Sequence, residues 1–282
     1  MSRADLHTHT TASDGRHRPA EVVRMAQETG LAGIAITDHD TTAGIEEAME
    51  AGELYGVRVL AGVEISTQAE DREIHVLGYG YDIGNRLFQE RLATLREARD
   101  RRNERMIERL NELGVAVTLD EVREAAAASQ EKGGTVGRPH MAEVLVRKGY
   151  ARDFRDAFER YLKRGAAAYI QVKRIHPAEA VRWIHEAGGA AVIAHPGLYG
   201  RDRLMLELLE NGADGLEAFH SDHDDAQERH FLAMAESMGK LVTGGSDFHG
   251  IKSGSKLYHG PIGNRTVDVS VIDRLLAARP RW

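Results

Sequence analysis

Short apolar runs alternate with amphipathic stretches along most of this chain, and that alternation predicts its elements. The first run, "ADLHTHT" (4–10), has the pattern of a strand in which His7 and His9 share one face while Leu6 and Thr8 point the other way. "RPAEVVRMAQETG" (18–30) has the pattern of a helix, with Pro19 near its start and Gly30 just past its end. The rhythm continues with a buried strand through "LAGIAITDHD" (31–40) and a helix through "AGIEEAMEAGELYG" (43–56). Two further strands follow, "VRVLAGVEIST" (57–67) and "REIHVLGYGYD" (72–82). Such β-α-β-α order predicts a parallel sheet with helices packed outside it.

The rhythm breaks near residue 86. From 86 to 114, Leu and Met recur at helical spacing among dense charges, as in a long and partly solvated helix. "VTLDEVREAAAAS" (117–129) opens on the capping pair Thr118 and Glu121. Two more helices are expected in "RPHMAEVLVRKG" (138–149) and "DFRDAFERYLKRG" (153–165). An all-helical insertion, 100–167, therefore divides the α/β unit into a first part, 1–99, and a second part, 168–282. Alternation resumes with an expected strand "AAYIQV" (167–172), then strands in "AAVIAHPG", "ADGLEAFHSDH" and "KLVTGGSDFHG" separated by helices. About seven strand–helix units result.

Composition narrows the function. With 282 residues the chain can bury a substantial core. No apolar run reaches membrane-spanning length, and the first residues lack an apolar signal region, so a cytoplasmic location is expected. There is no cysteine, which removes disulfides, thiolate ligands and a thiol nucleophile. The formal charge of −7 disfavours a broad surface for duplex nucleic acid. An anionic substrate would need a local reversal of sign, which bound cations supply.

Fourteen histidines are many for this length, and their placement is the strongest signal. One apolar run after another ends in His, Asp or Glu: His7 and His9, Asp38 and His39, Glu64, His75, His195, His220 and His223, Asp247 and His249. In parallel α/β barrels the carboxyl ends of the strands build the active site. Imidazoles and carboxylates without sulfur suit Mn, Zn, Fe or similar ions, and their number exceeds the needs of one tetrahedral ion. Two or three ions are expected. His17, His176, His185 and His230, in a loop or beside helices, are assigned no role.

The stretches "DLHTHTTASDG", "ITDHD", "AHPG" and "GSDFH", in that order, resemble the four motifs of the PHP (polymerase and histidinol phosphatase) family of metal-dependent phosphoesterases. The resemblance covers residues 1 to about 98 and 168 to 282. It implies a distorted (β/α)7 barrel of PHP type with a small all-helical insertion and two or three divalent metal ions, manganese favoured and Zn, Fe or Mg alternatives. Carried over by position, it implies one metal held by His7, His9, Glu64 and Asp247. Glu64 would bridge to a second, completed by His75 and His195, and Asp14, His39 and His249 would hold a third. Asp38 and Asp40 would orient ligands from behind.

"GRPHMAEVLVRKGY", "GLEAFHSDHD" and "YIQVKR" resemble a PHP subgroup acting on nucleotides. That resemblance implies a phosphatase removing the 3′-phosphate of nucleoside 3′,5′-bisphosphates, such as adenosine 3′,5′-bisphosphate, through a metal-activated hydroxide. Asp14, His39 and His223 are the expected catalytic groups, His223 or a metal-bound water being the proton donor. Arg138, His140 and Lys173 are expected to grip the second phosphate, with His220 and Ser246 also against substrate. Phe219 and Tyr199 are aromatic groups that could stack a base. A 5′-to-3′ exonuclease on short RNA or DNA, a C–N hydrolase and a non-catalytic metal-binding module are the rivals. No protein partner and no membrane are implied.

Overall fold

The structure is a computed structural model describing residues 2–127, 136–253 and 256–278. Its centre is a sheet of eight strands, β1 (Arg3–Thr8), β2 (Gly33–Ile36), β3 (Arg58–Ala69), β4 (Arg72–Tyr79), β5 (Ala190–Ile193), β6 (Gly215–His220), β7 (Leu241–Gly245) and β10 (Val267–Asp268). A two-stranded ribbon, β8 (Lys252–Ser253) and β9 (Lys256–Leu257), lies apart from it. The strand order is β10-β1-β2-β3-β4-β5-β6-β7. β7 and the residues after it return to β1: Asp247 N donates to His7 O and His9 N to Phe248 O, each at 2.9 Å. The sheet therefore curls into a nearly closed barrel. A Cβ on Gly245 would sit 2.3 Å from that of His7, so only glycine permits this approach.

Two features depart from the expected all-parallel order. β1–β2–β3 and β5–β6–β7 are parallel, but β4 runs antiparallel to both β3 and β5. The β3–β4 turn is the two-residue pair Glu70 and Asp71, both left-handed at φ +46° and +58°. Such turns ordinarily announce themselves with Asn or Gly. The second departure is "AAYIQV", which forms no strand. That stretch and the residues after it approach β3 through one backbone bond, Gln68 N to Ile175 O at 2.9 Å, and β4 takes the ladder position beside β3.

Helices α1 (Pro19–Glu28) and α2 (Ile45–Tyr55) pack outside the first strands. The long α3 (Arg86–Glu112) leads to α4 (Leu119–Ala127), α5 (Arg138–Arg147) and the short α6 (Phe154–Ala157), which runs into one π-helical turn, Phe158–Leu162. Outside the second half lie α7 (Pro177–Glu186), α8 (Asp202–Glu210), α9 (Asp225–Ser237) and α10 (Ser270–Ala277). Thr118 and Glu121 make the expected reciprocal cap of α4. The helices after α3's midpoint share an apolar cluster of their own, including Met106, Leu110, Val122, Met141 and Leu145. Each fully buried side chain of that size stabilises the fold by about 1.5–3 kcal/mol. Among the described residues no helix is long and apolar enough to cross a membrane.

Candidate metal centre

Buried charge converges at one end of the barrel. His7 and His9 leave the end of β1 side by side, with Nε2 atoms 3.2 Å apart. Glu64, midway along β3, reaches them with both carboxylate oxygens. Oε1 lies 2.7 Å from His75 Nδ1, 3.1 Å from His195 Nε2 and 3.5 Å from His7 Nε2. Oε2 lies 2.9 Å from His39 Nδ1 and 3.4 Å from His9 Nε2. On the far side, Asp247 Oδ1 is 3.1 Å from His9 Nε2, 3.4 Å from His7 Nε2 and 3.5 Å from His249 Nδ1. Asp14 approaches His249 at 3.3 Å and His39 at 3.7 Å.

Ligand atoms lie within 4.8 Å of one another in several sets: His9, Asp14, His39 and His249; His7, His9 and Glu64; His39, Glu64 and His75. Two further sets are His7, His220 and Asp247, and Asp247, His249 and His259. The expected ligands are thus brought together, with Glu64 at the middle. His220, expected against substrate, stands instead among the candidate ligands, its Nε2 3.3 Å from Asp247 Oδ2.

The donor set fits divalent cations. Asp247 Oδ1 and His39 Nδ1 are buried and make no well-aligned hydrogen bond, although oppositely disposed groups lie close. Buried carboxylates and imidazole lone pairs aimed at shared points are costly unless cations join them. Burial pushes the Glu64 carboxyl up, but His75, His39 and His7 outweigh it and hold it well below the usual range. Burial likewise opposes ionisation of Asp247 and Asp14, and neighbouring imidazoles overcome it in both. His9, desolvated and beside His249, falls to about 3, and burial takes His195 to about 4, so both offer free lone pairs.

A second layer fixes these groups. His7 Nδ1 donates to Glu217, 3.0 and 3.1 Å from its two oxygens, which turns Nε2 toward the centre. Glu217 also accepts the His195 backbone N–H at 2.9 Å. Asp38 accepts from Thr10 N, Thr10 Oγ1 and Ser13 Oγ, shaping the loop that carries Asp14. Asp40 accepts from Ser66 N and from Arg99, its Oδ2 2.7 Å from Arg99 Nη2. Asp40, His195, Asp247 and His259 all have positive φ, between +27° and +59°. Non-glycine residues in that region store about 1–3 kcal/mol each, and they cluster where sites are preorganised.

Several expected contacts lie elsewhere. His223 has both ring nitrogens engaged by backbone: Nδ1 donates to Ala218 O at 2.9 Å and Nε2 accepts from Gly197 N at 3.0 Å. The ring proton on Nδ1 is held by Ala218 O and Nε2 is occupied by Gly197 N, so in this arrangement neither nitrogen is turned to a leaving group. Ser246 Oγ is buried and donates to Asp5 at 2.6 Å, bracing β7 against β1 rather than facing the mouth. Lys173 is exposed and lines a separate cleft beside α3, while Arg174, its neighbour, turns toward Glu73. His140 is buried, its Nδ1 accepting from Gly137 N. Tyr199 is buried and its hydroxyl accepts from His75 N, and Phe219 lines a cavity with Arg3 and Lys240. Arg138 does line the mouth, paired with Glu73 at 2.9 Å.

The mouth, about 160 Å³, is also lined by groups outside the expected set: Glu73, Arg99, Phe158, Tyr258 and His259. His259 Nδ1 meets Asp222 at 2.5 Å and Nε2 meets Asp247 at 3.2 Å. A lone histidine in "YHGP" carries no pattern to mark it. Glu217 was legible in principle, as an acid inside the apolar run "GLEAF".

Comparison with known proteins agrees with this centre. Residues 5–174 match the PHP domain model. The chain is 37% identical over 252 residues to the 5′-3′ exoribonuclease Rnm of Escherichia coli, covering 87% of this chain and 84% of that one. It is 34% identical over 261 residues to a 3′,5′-nucleoside bisphosphate phosphatase of Chromobacterium violaceum, covering 91% and 90%. A structure from Bifidobacterium adolescentis, to which metal-dependent phosphoesterase activity has been ascribed, superposes with a TM-score of 0.88 at 35% identity over 99% of this chain and 96% of that one. This chain belongs to the PHP family and is a metal-dependent phosphoesterase.

Proposed function

We propose that the enzyme removes the 3′-phosphate of nucleoside 3′,5′-bisphosphates, leaving a 5′-nucleotide and phosphate. The observation that carries this reading is that candidate ligands, Glu64 and Asp247 among them, and the side chain of Arg138 line one and the same mouth. A substrate with two phosphates would meet both. The likeness to the Chromobacterium violaceum phosphatase supports it.

Two or three divalent ions, manganese favoured, would be held by His7, His9, Glu64 and Asp247, by Glu64, His75 and His195, and by Asp14, His39 and His249. When bound, such ions activate water and neutralise phosphoryl oxygens. The protein's own groups do the rest. Glu217 and Asp38 hold ligand residues in register, and Arg138 orients the non-reacting phosphate. His259, its Nδ1 held by Asp222 and its Nε2 3.2 Å from Asp247, lines the mouth and is the side chain proposed to meet the leaving oxygen.

The second reading is trimming of short oligonucleotides from the 5′ end, favoured by the likeness to the Escherichia coli exoribonuclease. Phosphate release from a panel of nucleoside bisphosphates, set beside shortening of 5′-phosphorylated RNA and compared in Mn, Mg and Zn, tests the proposal. Oligonucleotide shortening without release from any bisphosphate would overturn it.

A further inference from the structure

A wall of arginines stands beside the mouth. Arg99 on α3 is matched by Asp40 and also donates to Ser66 Oγ at 2.6 Å. Arg138 Nη2 and Arg174 Nη2 both lie 2.9 Å from Glu73, so a single carboxylate serves two guanidinium groups. Among the described residues Arg102 has no carboxylate within ion-pair distance. It is 2% exposed, and among the described residues its hydrogen-bond partner is the Asn103 side-chain oxygen, 2.8 Å from Nη2. Burial and then Arg138, Arg99 and Arg174 drive its pKa well down, with Glu73 the opposing charge. Arg102, Arg138 and Arg174 line one small cavity, edged by Tyr169, Glu73 and Asp71 at the exposed hairpin turn.

A desolvated guanidinium crowded by others is costly unless an anion joins it. Fork-shaped donors from three directions suit a tetrahedral oxyanion better than one shared carboxylate. We propose that Arg102, Arg138 and Arg174 form a cage for the non-reacting phosphate of the substrate, and that Glu73 occupies this cage until that phosphate displaces it. The inference rests on the proposed reaction for its two-phosphate substrate, and adds Arg102, Arg174 and Glu73 to the groups that select it. Glu73 Oε1 lies 3.5 Å from His75 Nε2, so the displaced carboxylate keeps a partner at the centre.

The test uses manganese-loaded enzyme. It reads the ratio of kcat/KM for a nucleoside 3′,5′-bisphosphate to that for 4-nitrophenyl phosphate. Arg102→Met lowers this ratio at least tenfold, and Glu73→Gln raises it because the competitor is gone. An unchanged ratio in Arg102→Met, or a lower one in Glu73→Gln, overturns the cage. Should Arg102→Met fail to fold, the wild-type enzyme still decides the matter. A nucleoside 5′-monophosphate inhibits aryl phosphate hydrolysis at a concentration at least tenfold below that of the nucleoside alone; equal inhibition overturns the proposal. If no bisphosphate is hydrolysed, the proposed reaction fails while the cage is read separately, from the same ratio taken between 5′-phosphorylated and 5′-hydroxyl dinucleotides.

Discussion

Replacing Glu217 by Gln isolates the layer behind the metal ligands, because Glu217 touches His7 and His195 without facing the mouth. The carboxylate accepts from His7 Nδ1 at 3.0 Å and from the His195 backbone N–H at 2.9 Å. An amide keeps the shape, but with its oxygen at the Oε2 position, where both donors reach it, its NH2 stands 3.0 Å from His7 Nδ1 and the negative charge is gone. Charge-assisted hydrogen bonds of this kind contribute about 1.5–3 kcal/mol. At 1.36 kcal/mol per decade, that is a loss of roughly 10- to 150-fold in affinity for the ion that His7 would hold. Titration of metal-free protein with manganese measures it directly, and the manganese dependence of turnover measures it again. Turnover at saturating manganese should recover most of the wild-type value. Affinity within twofold of wild type would show that His7 is oriented by something other than Glu217.

The other predictions concern separate parts of the molecule. Asp247→Ala removes an oxygen that faces His7, His9 and His249 together, and should abolish metal retention and lower turnover at least a thousandfold (about 4 kcal/mol); metal analysis and one kinetic assay check both. Arg138→Ala should raise KM for a nucleoside bisphosphate far more than for an aryl phosphate, and equal effects would remove it from substrate selection. His140, driven by burial to about 4, is neutral when folded and takes a proton near 6.5 when unfolded. Its contribution is therefore present above pH 6.5 and lost as the pH falls, reaching about 3 kcal/mol at pH 4. His140→Gln keeps an acceptor for Gly137 N, so denaturant unfolding at pH 7 and pH 4 should show a smaller acid loss in that variant.

Much of this organisation was legible because barrels repeat one physical rule. Apolar runs end at the same side of the sheet, so polar residues ending successive runs meet in space. His7, His9, His195 and Asp247 follow that rule, and their convergence could be anticipated; Glu64 joins them from the middle of β3. The β4 reversal could not be anticipated, since Glu70 and Asp71 adopt left-handed turn geometry without the residue types that favour it. "AAYIQV" has the composition of a strand and lost its place to β4, a competition between distant segments that local pattern does not record. His223 and Ser246 lie close to candidate ligands in sequence, yet backbone carbonyls, amides and Asp5 claim their polar atoms. His259 and the arginine wall depend on how loops and the helical block fold over the mouth, which spacing alone does not encode.

The glycine at the end of β7 ties catalysis to the integrity of the whole chain. Because Gly245 lets the last barrel strand press against His7, the seam joining the two ends of the barrel runs through the ligands themselves. An ion shared by His7, His9 and Asp247 would act as a clasp between segments some 240 residues apart, offsetting the entropy of bringing them together. Chelation should then be felt first as an unzipping of that seam. Amide exchange at His9 and Asp247 would quicken before the helical block or the outer helices respond.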